Sequence, residues 1–253
     1  MLAGKKILVA GAGGLLGSKL CKALLEQNAE VVAIDINPEV VLKKLSEQSI
    51  DVKNSNIQSI ALDMNDEPKV QAFFEGLSGL DGVVNSMYPR NKQYGSRFEE
   101  VSLESFNQNT SLNIGSTFLL LKRCVAYFRK HQSPISVVNI SSIYGMVAPD
   151  FSIYDETNMT MPVEYAAIKA AQQHLTRYVV NYVKNSRFRV NSVCPGGLYD
   201  AQPEPFLEAY RNKTHGTGML DPGDINGSVI YLLSDLSKYV TGQQIIVDDG
   251  FTL

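Results

Sequence analysis

The N-terminal run Ile7-Leu-Val-Ala-Gly-Ala-Gly-Gly-Leu-Leu-Gly17 reads in three parts. Ile7 to Ala10 is a short apolar strand, the glycines that follow are a turn, and Ser18 to Gln27 continues as an amphipathic helix. A turn of this kind lets the backbone approach a pyrophosphate, while free N–H groups and the dipole at the helix start hold its charge. Gly11, Gly14, Leu15, Leu16 and Gly17 are the candidate contacts. A plain tight turn is the simpler reading of the glycines taken alone.

Outward from this unit, the strand–helix alternation repeats. Val31 to Ile34, Ile57 to Leu62, Val83-Val84, Ile135 to Ile140, Val190 to Val193 and Ile245 to Val247 are apolar runs without hydrophobic–polar alternation, as expected of strands covered on both faces. Between them, Ile114, Phe118, Leu121, Val125 and Phe128 form one helical stripe, and Ile168, Ala171, Leu175, Val179 and Tyr182 another. The order predicts an α/β fold of Rossmann type: a doubly wound parallel sheet of about seven strands with helices on both faces. No linker or compositional break interrupts residues 1–253, so one domain is expected. Two polar, irregular segments, 146–164 and 199–219, follow strands and are the expected substrate loops.

Composition narrows the function. With 26 acidic and 23 basic side chains among 253 residues, the net charge of −3 argues against nucleic acid or an anionic membrane as the main partner. No apolar run is long enough to span a bilayer. Cys21, Cys124 and Cys194 lie far apart without a CxxC spacing, which reads as reduced thiols and a cytoplasmic protein. His131, His174 and His215 have no metal-ligand spacing, so no metal is expected.

Asp35 closes the second strand, 24 residues after Gly11. A carboxylate there can accept both ribose hydroxyls of an adenosine and repels a 2′-phosphate, and no arginine follows it, so NAD is expected over NADP. A solvated turn acid is the alternative. Asp63, with Met64 after it, ends the third strand where it reaches an adenine edge or caps the following helix.

Tyr165-Ala-Ala-Ile-Lys169 places a phenol and an amine one helical turn apart on one face. An ammonium beside a phenol favours the phenolate and pulls its pKa toward working pH, making the tyrosine a proton donor to a carbonyl or a base toward an alcohol. Tyr165 also continues an apolar stripe, so a packing role is the competing reading. Tyr154 is a second tyrosine after the same strand, but position 158 is Asn, and Tyr154 without a neighbouring ammonium is the poorer acid.

These features, together with Val138-Asn-Ile-Ser-Ser142, Val190-Asn-Ser-Val-Cys-Pro-Gly196 and the C-terminal Tyr239-to-Gly250 stretch, resemble the short-chain dehydrogenase/reductase family from Lys5 to the C-terminus. The resemblance implies that Ser142 stabilises the substrate oxygen, with Ser141 as the alternative serine. It implies that Tyr165 is the acid/base and that Lys169 lowers the phenol's pKa and holds the nicotinamide ribose. It further implies that Asn113 kinks its helix and anchors a water leading to Lys169, that Asn85 supports the cofactor ribose, and that Pro195 and Gly196 pass the nicotinamide. A homo-oligomer, dimer or tetramer, built on the two long helices and the last strand is also implied.

The sequence departs from the common pattern in places. Glycines 11, 14 and 17 match the spacing of the longer, sugar-modifying branch, with Leu15 at a position usually small. Asn85-Ser-Met-Tyr88 replaces Asn-Asn-Ala-Gly, no threonine follows Pro195-Gly196 at the usual distance, and the Ser142-to-Tyr165 gap is long. The stretch Tyr154 to Tyr165 is similar to members in bacterial surface-glycan and flagellin-modification pathways.

Asp150, Tyr154, Asp155, Thr157, Asn158 and Thr160 in the first loop suit a polar, polyhydroxylated small molecule. Arg90, Lys92 and Arg97 after strand four either recognise an anion or form a solvated basic loop. The function expected is an oxidoreductase moving a hydride between nicotinamide and a secondary alcohol or ketone, on a sugar-like substrate. A nucleotide-sugar epimerase or dehydratase and a non-catalytic dinucleotide sensor are the alternatives.

Overall fold

The computed structural model describes residues 1–53 and 56–253. Seven parallel strands form one sheet: β1 (Lys6–Ala10), β2 (Glu30–Asp35), β3 (Ile57–Ala61), β4 (Leu80–Asn85), β5 (Ile135–Ile140), β6 (Phe188–Pro195) and β7 (Gln244–Val247), in the order β3-β2-β1-β4-β5-β6-β7. Helices α1 (Leu15–Glu26), α2 (Pro38–Glu47), α3 (Glu67–Gly76), α4 (Leu103–His131), α5 (Val163–Val183), α6 (Glu204–Arg211) and α7 (Asn226–Leu233) connect them. The strand order reverses between β1 and β4, which opens a crevice at the carboxyl ends of the strands. Among the described residues no helix is long and apolar enough to cross a membrane.

The strand period of two divides the core. Leu8, Ala10, Val32, Ile34 and Val83 point toward the α3, α4 and α5 face, while Ile7, Val9, Val31, Ala33 and Val84 point toward α1, α2 and α7. Continuous apolar runs are what a strand in the middle of such a sandwich needs, and β1, β5 and β6 are buried almost throughout. The edge strands β3 and β7 correct the expectation of two-sided cover, because each is only half-buried.

Three further expectations change. Phe118 and Tyr182, read as stripe members, are exposed on α4 and α5. The buried faces carry Leu121, Val125, Phe128 and Ile168 as expected, and beside them polar residues: Asn113, Ser116 and Thr117 on α4, and Gln172, Gln173 and Thr176 on α5. The segment 199–219, read as irregular, contains α6, whose Phe206 and Tyr210 are buried against Ile153 and Tyr154.

Local signals set the helix ends. Asn37 accepts from the Glu39 N–H and precedes Pro38 at the first turn of α2. Asp66, not Asp63, caps α3 by accepting from the Lys69 N–H at 3.2 Å. Ser102 caps α4 by accepting from the Ser105 N–H at 3.1 Å. Both α4 and α5 end on left-handed residues, Gln132 and Lys184.

A buried chain of side-chain hydrogen bonds fixes the long helices against the sheet. The Asn85 amide donates to Thr117 Oγ1 (3.2 Å) and to Asn139 Oδ1 (3.1 Å), and the Asn139 amide donates to Thr176 Oγ1 (3.0 Å). Thr176 and Ser192 hydroxyls share a further bond at 3.2 Å. Fully satisfied polar networks in a low-dielectric core tolerate little displacement. This one links α4, β4, β5, α5 and β6, and so sets where α5 presents its N-terminal half.

Candidate active site

A cavity of about 670 Å³ lies over the carboxyl ends of β1 to β6. The turn after β1 forms one end. Gly11 has φ +81°, and a Cβ there would stand 2.9 Å from the Met87 backbone. A Cβ on Gly17 would stand 2.0 Å from the Gly11 carbonyl, so α1 can start this close to the turn only with glycine. Gly14 precedes α1 without a side-chain cap, leaving the first-turn N–H groups open toward the cavity.

Asp35 lines the same end; its Oδ2 accepts from the Gly13 N–H at 2.8 Å and its Oδ1 from the Asn37 N–H at 3.2 Å. Each oxygen keeps lone pairs for a further donor. Asp63 and Met64 also line the wall, Asp63 accepting from the Asn65 N–H at 2.8 Å. The cradle therefore fits a dinucleotide: an open helix start for phosphate, and an acid at the tip of β2 for a ribose.

The opposite end gathers Ser142, Tyr165 and Lys169 with Pro195 and Gly196. Lys169 is buried, its ammonium donating to the Ile140 carbonyl at 2.8 Å and lying 5.5 Å from the centre of the Tyr165 ring. Burial brings its pKa down to about 8, against a smaller upward pull from Cys194. Burial also raises the Tyr165 phenol, with the Ser142 hydroxyl partly opposing it. The net direction at the phenol is thus upward, opposite to the lowering expected from Lys169. Desolvation dominates at both groups, and the ammonium is turned to a backbone carbonyl rather than to the phenol oxygen.

The two candidate serines separate. Ser141 donates to the Lys169 carbonyl (3.3 Å) and accepts from the Gln173 amide (3.0 Å), so it supports α5. Ser142 accepts from the Tyr144 N–H at 3.2 Å, which leaves its own proton to offer.

Gly11, Gly14, Leu15, Leu16, Asp35, Asp63, Met64, Ser142, Tyr165, Lys169, Pro195 and Gly196 all line the cavity. Gly17, Asn85 and Asn113 do not line it. Asn85 is engaged in the buried chain above, which corrects its expected place at the cofactor ribose. The Asn113 amide donates to the Pro89 carbonyl (2.7 Å) and the Asn109 carbonyl (3.0 Å). It ties the loop after β4 to α4, and α4 continues past it to His131.

Of the hydroxyl- and carboxylate-bearing residues in 146–164, only Tyr154 and Thr160 reach the cavity. Asp150 instead pairs with Lys213 at 2.7 Å. Five of the seven methionines, Met64, Met87, Met159, Met161 and Met219, line the wall, and Phe206 and Tyr210 of α6 close it.

Two residues escaped the sequence reading. Tyr88 packs edge-on against Tyr165 (5.5 Å between ring centres), with the Lys169 ammonium 5.7 Å from its ring centre. Its hydroxyl bonds that of Tyr94, and burial first of all raises its pKa. The signal was the replaced Asn-Asn-Ala-Gly pattern, which puts a large ring at a usually small position. Glu164, beside Tyr165, is wholly buried; Oε1 accepts from the Asn109 amide at 3.3 Å, and Oε2 has no hydrogen-bond partner among the described residues. Nothing local distinguishes it from an exposed first-turn glutamate.

Residues 11–252 match the family described as enoyl-(acyl carrier protein) reductase. The post-translational flagellin modification protein A of Campylobacter coli is 38% identical, with 100% of both chains covered. A 2,5-dichloro-2,5-cyclohexadiene-1,4-diol dehydrogenase of Sphingobium indicum is 29% identical over 99% of this chain and 98% of its own. The crystal structure of a short chain dehydrogenase from Leptospira borgpetersenii with bound NAD+ superposes with a TM-score of 0.87 at 30% identity, covering 100% of this chain and 94% of its own.

Proposed function

The chain belongs to the short-chain dehydrogenase/reductase family, and from that premise we propose that it is an NAD-dependent oxidoreductase interconverting a secondary alcohol and a ketone. One observation carries the reading: Tyr165, Lys169 and Ser142 line one cavity together with the glycine turn and Asp35.

Bound NAD supplies the hydride acceptor or donor. The chain's own residues do the rest. The N–H groups at the start of α1 hold the pyrophosphate and Asp35 the adenosine ribose, where its charge opposes a 2′-phosphate. Ser142 donates to the substrate oxygen and stabilises charge as it develops. Tyr165 Oη gives that oxygen a proton in the reductive direction and takes it back in the oxidative direction. Lys169, fixed by the Ile140 carbonyl, holds positive charge beside the ring and would hold the nicotinamide ribose.

A sugar derivative is the substrate class we favour. It is supported by the similarity to a flagellin-modification protein and by Tyr154, Thr160 and Gln202 at the cavity wall. The methionine wall favours a second reading, a ring diol with an apolar face, because flexible thioethers adapt to such surfaces.

Assay of NAD- and NADP-linked absorbance change against sugars, sugar derivatives and cyclic diols tests both. Turnover of none of them with either cofactor overturns the oxidoreductase reading.

The protein is further proposed to work in the cytoplasm as a homo-oligomer. Three free, buried cysteines support the first. Exposed Phe118, Tyr178, Tyr182 and Ile246 on α4, α5 and β7 support the second, which sedimentation tests.

A further inference from the structure

We propose that Arg90 is the recognition group for an anionic substituent, a carboxylate or a phosphate, on the substrate. The alcohol or ketone this protein takes is then an acid. The inference rests on the oxidoreductase reading for its placement of the reacting carbon at Tyr165, and adds a charge requirement to it.

Of the three basic residues in the loop after β4, Arg90 alone lines the cavity; Lys92 and Arg97 do not. Its guanidinium lies over the Tyr88 ring at 5.0 Å, and that ring meets Tyr165 edge-on at 5.5 Å. An exposed cation resting on that ring therefore stands one aromatic ring away from the proton-donating phenol. The other lining cation, Lys169, is buried and committed to Ile140. Among the described residues no carboxylate pairs with Arg90, although most other cavity-wall charges have backbone partners: Asp35 holds the Gly13 and Asn37 N–H groups, and Asp63 that of Asn65. A guanidinium left open at a cavity wall suits a two-oxygen acceptor, which it binds through paired N–H groups.

The backbone on both sides of Arg90 is pinned. The Pro89 carbonyl accepts from the Asn113 amide at 2.7 Å. The Asn91 N–H donates to Asn109 Oδ1 at 3.0 Å, and the Asn91 amide to Gln108 Oε1 at 2.8 Å. Asn109 is in turn held by the buried Glu164 at 3.3 Å. A solvated basic loop needs no such bracing, whereas a recognition group gains affinity when its ordering cost is met before the ligand arrives.

The test uses the full chain loaded with NADH, so that cofactor phosphate is already in place. Saturation-transfer NMR and calorimetry compare matched probes: glucose, glucuronate and glucose 6-phosphate; cyclohexanol and 4-hydroxycyclohexanecarboxylate. Wild type, Arg90→Gln and Arg97→Gln are measured. We expect at least one charged probe to bind about tenfold more tightly than its neutral partner. That preference should vanish in Arg90→Gln and persist in Arg97→Gln. Preference for glucuronate over the phosphate, or the reverse, identifies which anion is read. Equal binding of charged and neutral probes, binding of none, or an undiminished preference in Arg90→Gln overturns the proposal. Because the readout is binding, it stays separate from the turnover assay that tests the oxidoreductase reading.

Discussion

The Lys169 ammonium lies 5.5 Å from the centre of the Tyr165 ring, one turn away on α5, yet its hydrogen bond goes to the Ile140 carbonyl of β5 at 2.8 Å. The amine is therefore held beside the phenol by the β5 backbone rather than bonded to its oxygen. Burial of both groups opposes their charged forms, which sets the pH behaviour of the site.

Removing the phenol separates chemistry from binding. Tyr165→Phe should lower kcat by about 10²–10⁴-fold while NADH affinity stays near that of the parent. Tyr154→Phe should lose far less: Tyr154 is packed against Phe206 at 5.0 Å between ring centres, and burial pushes its pKa up to about 12. Steady-state kinetics with NADH titration checks both, and equal losses would remove Tyr165 from its role.

The serines give a similar contrast. Ser142→Ala should lower kcat by about 10²-fold, since its hydroxyl donates to developing charge. Ser141→Ala should chiefly cost stability, about 1–2 kcal/mol, because it removes the hydroxyl that bonds both the Lys169 carbonyl and the Gln173 amide inside the fold. Denaturant unfolding beside kcat distinguishes the two.

Lys169 makes stability depend on pH in an unusual direction. Its folded pKa of about 8 lies below the ordinary lysine value of 10.5, so between these the unfolded chain binds more protons. Stability contributed by this group therefore rises as pH climbs from about 8 toward 10.5, and the cost of burying the ammonium is fully present below 8. Relative to Lys169→Met, the wild-type protein should gain about 2–3 kcal/mol between pH 7 and pH 10. Urea unfolding of both at the two pH values measures it; groups remote from Lys169 titrate alike in both and cancel.

Gly17→Ala tests the phosphate turn. The added Cβ would meet the Gly11 carbonyl at 2.0 Å and Ala12 Cα at 2.8 Å, so backbone must move. A loss of about 3 kcal/mol is expected, seen as a Tm lower by about 10 °C, together with weakened NAD binding. An unchanged Tm would show that the turn is looser than its geometry.

Asp35→Ala removes the acceptor for the Gly13 and Asn37 N–H groups and the acid at the ribose position. NAD affinity should fall about tenfold and the discrimination against NADP should narrow. Equal affinity of the unaltered protein for NAD and NADP would contradict this account of Asp35.

The amino-acid sequence by itself determined the order of strands and helices, the glycine turn, and the pairing of Tyr165 with Lys169. These are local properties: apolar run length, helical spacing and backbone freedom are written in neighbouring residues. What only the tertiary structure decided are the relationships between distant segments. It engaged Asn85 in a buried chain with Thr117 and Asn139, and turned Asn113 to the Pro89 carbonyl. It buried Glu164, set Tyr88 against Tyr165, and turned most of the polar residues of 146–164 away from the cavity in favour of methionines. The direction of the pKa shifts at Tyr165 and Lys169 also belongs here, because desolvation depends on how much of the rest of the chain packs around a group, and spacing along one helix carries no record of that.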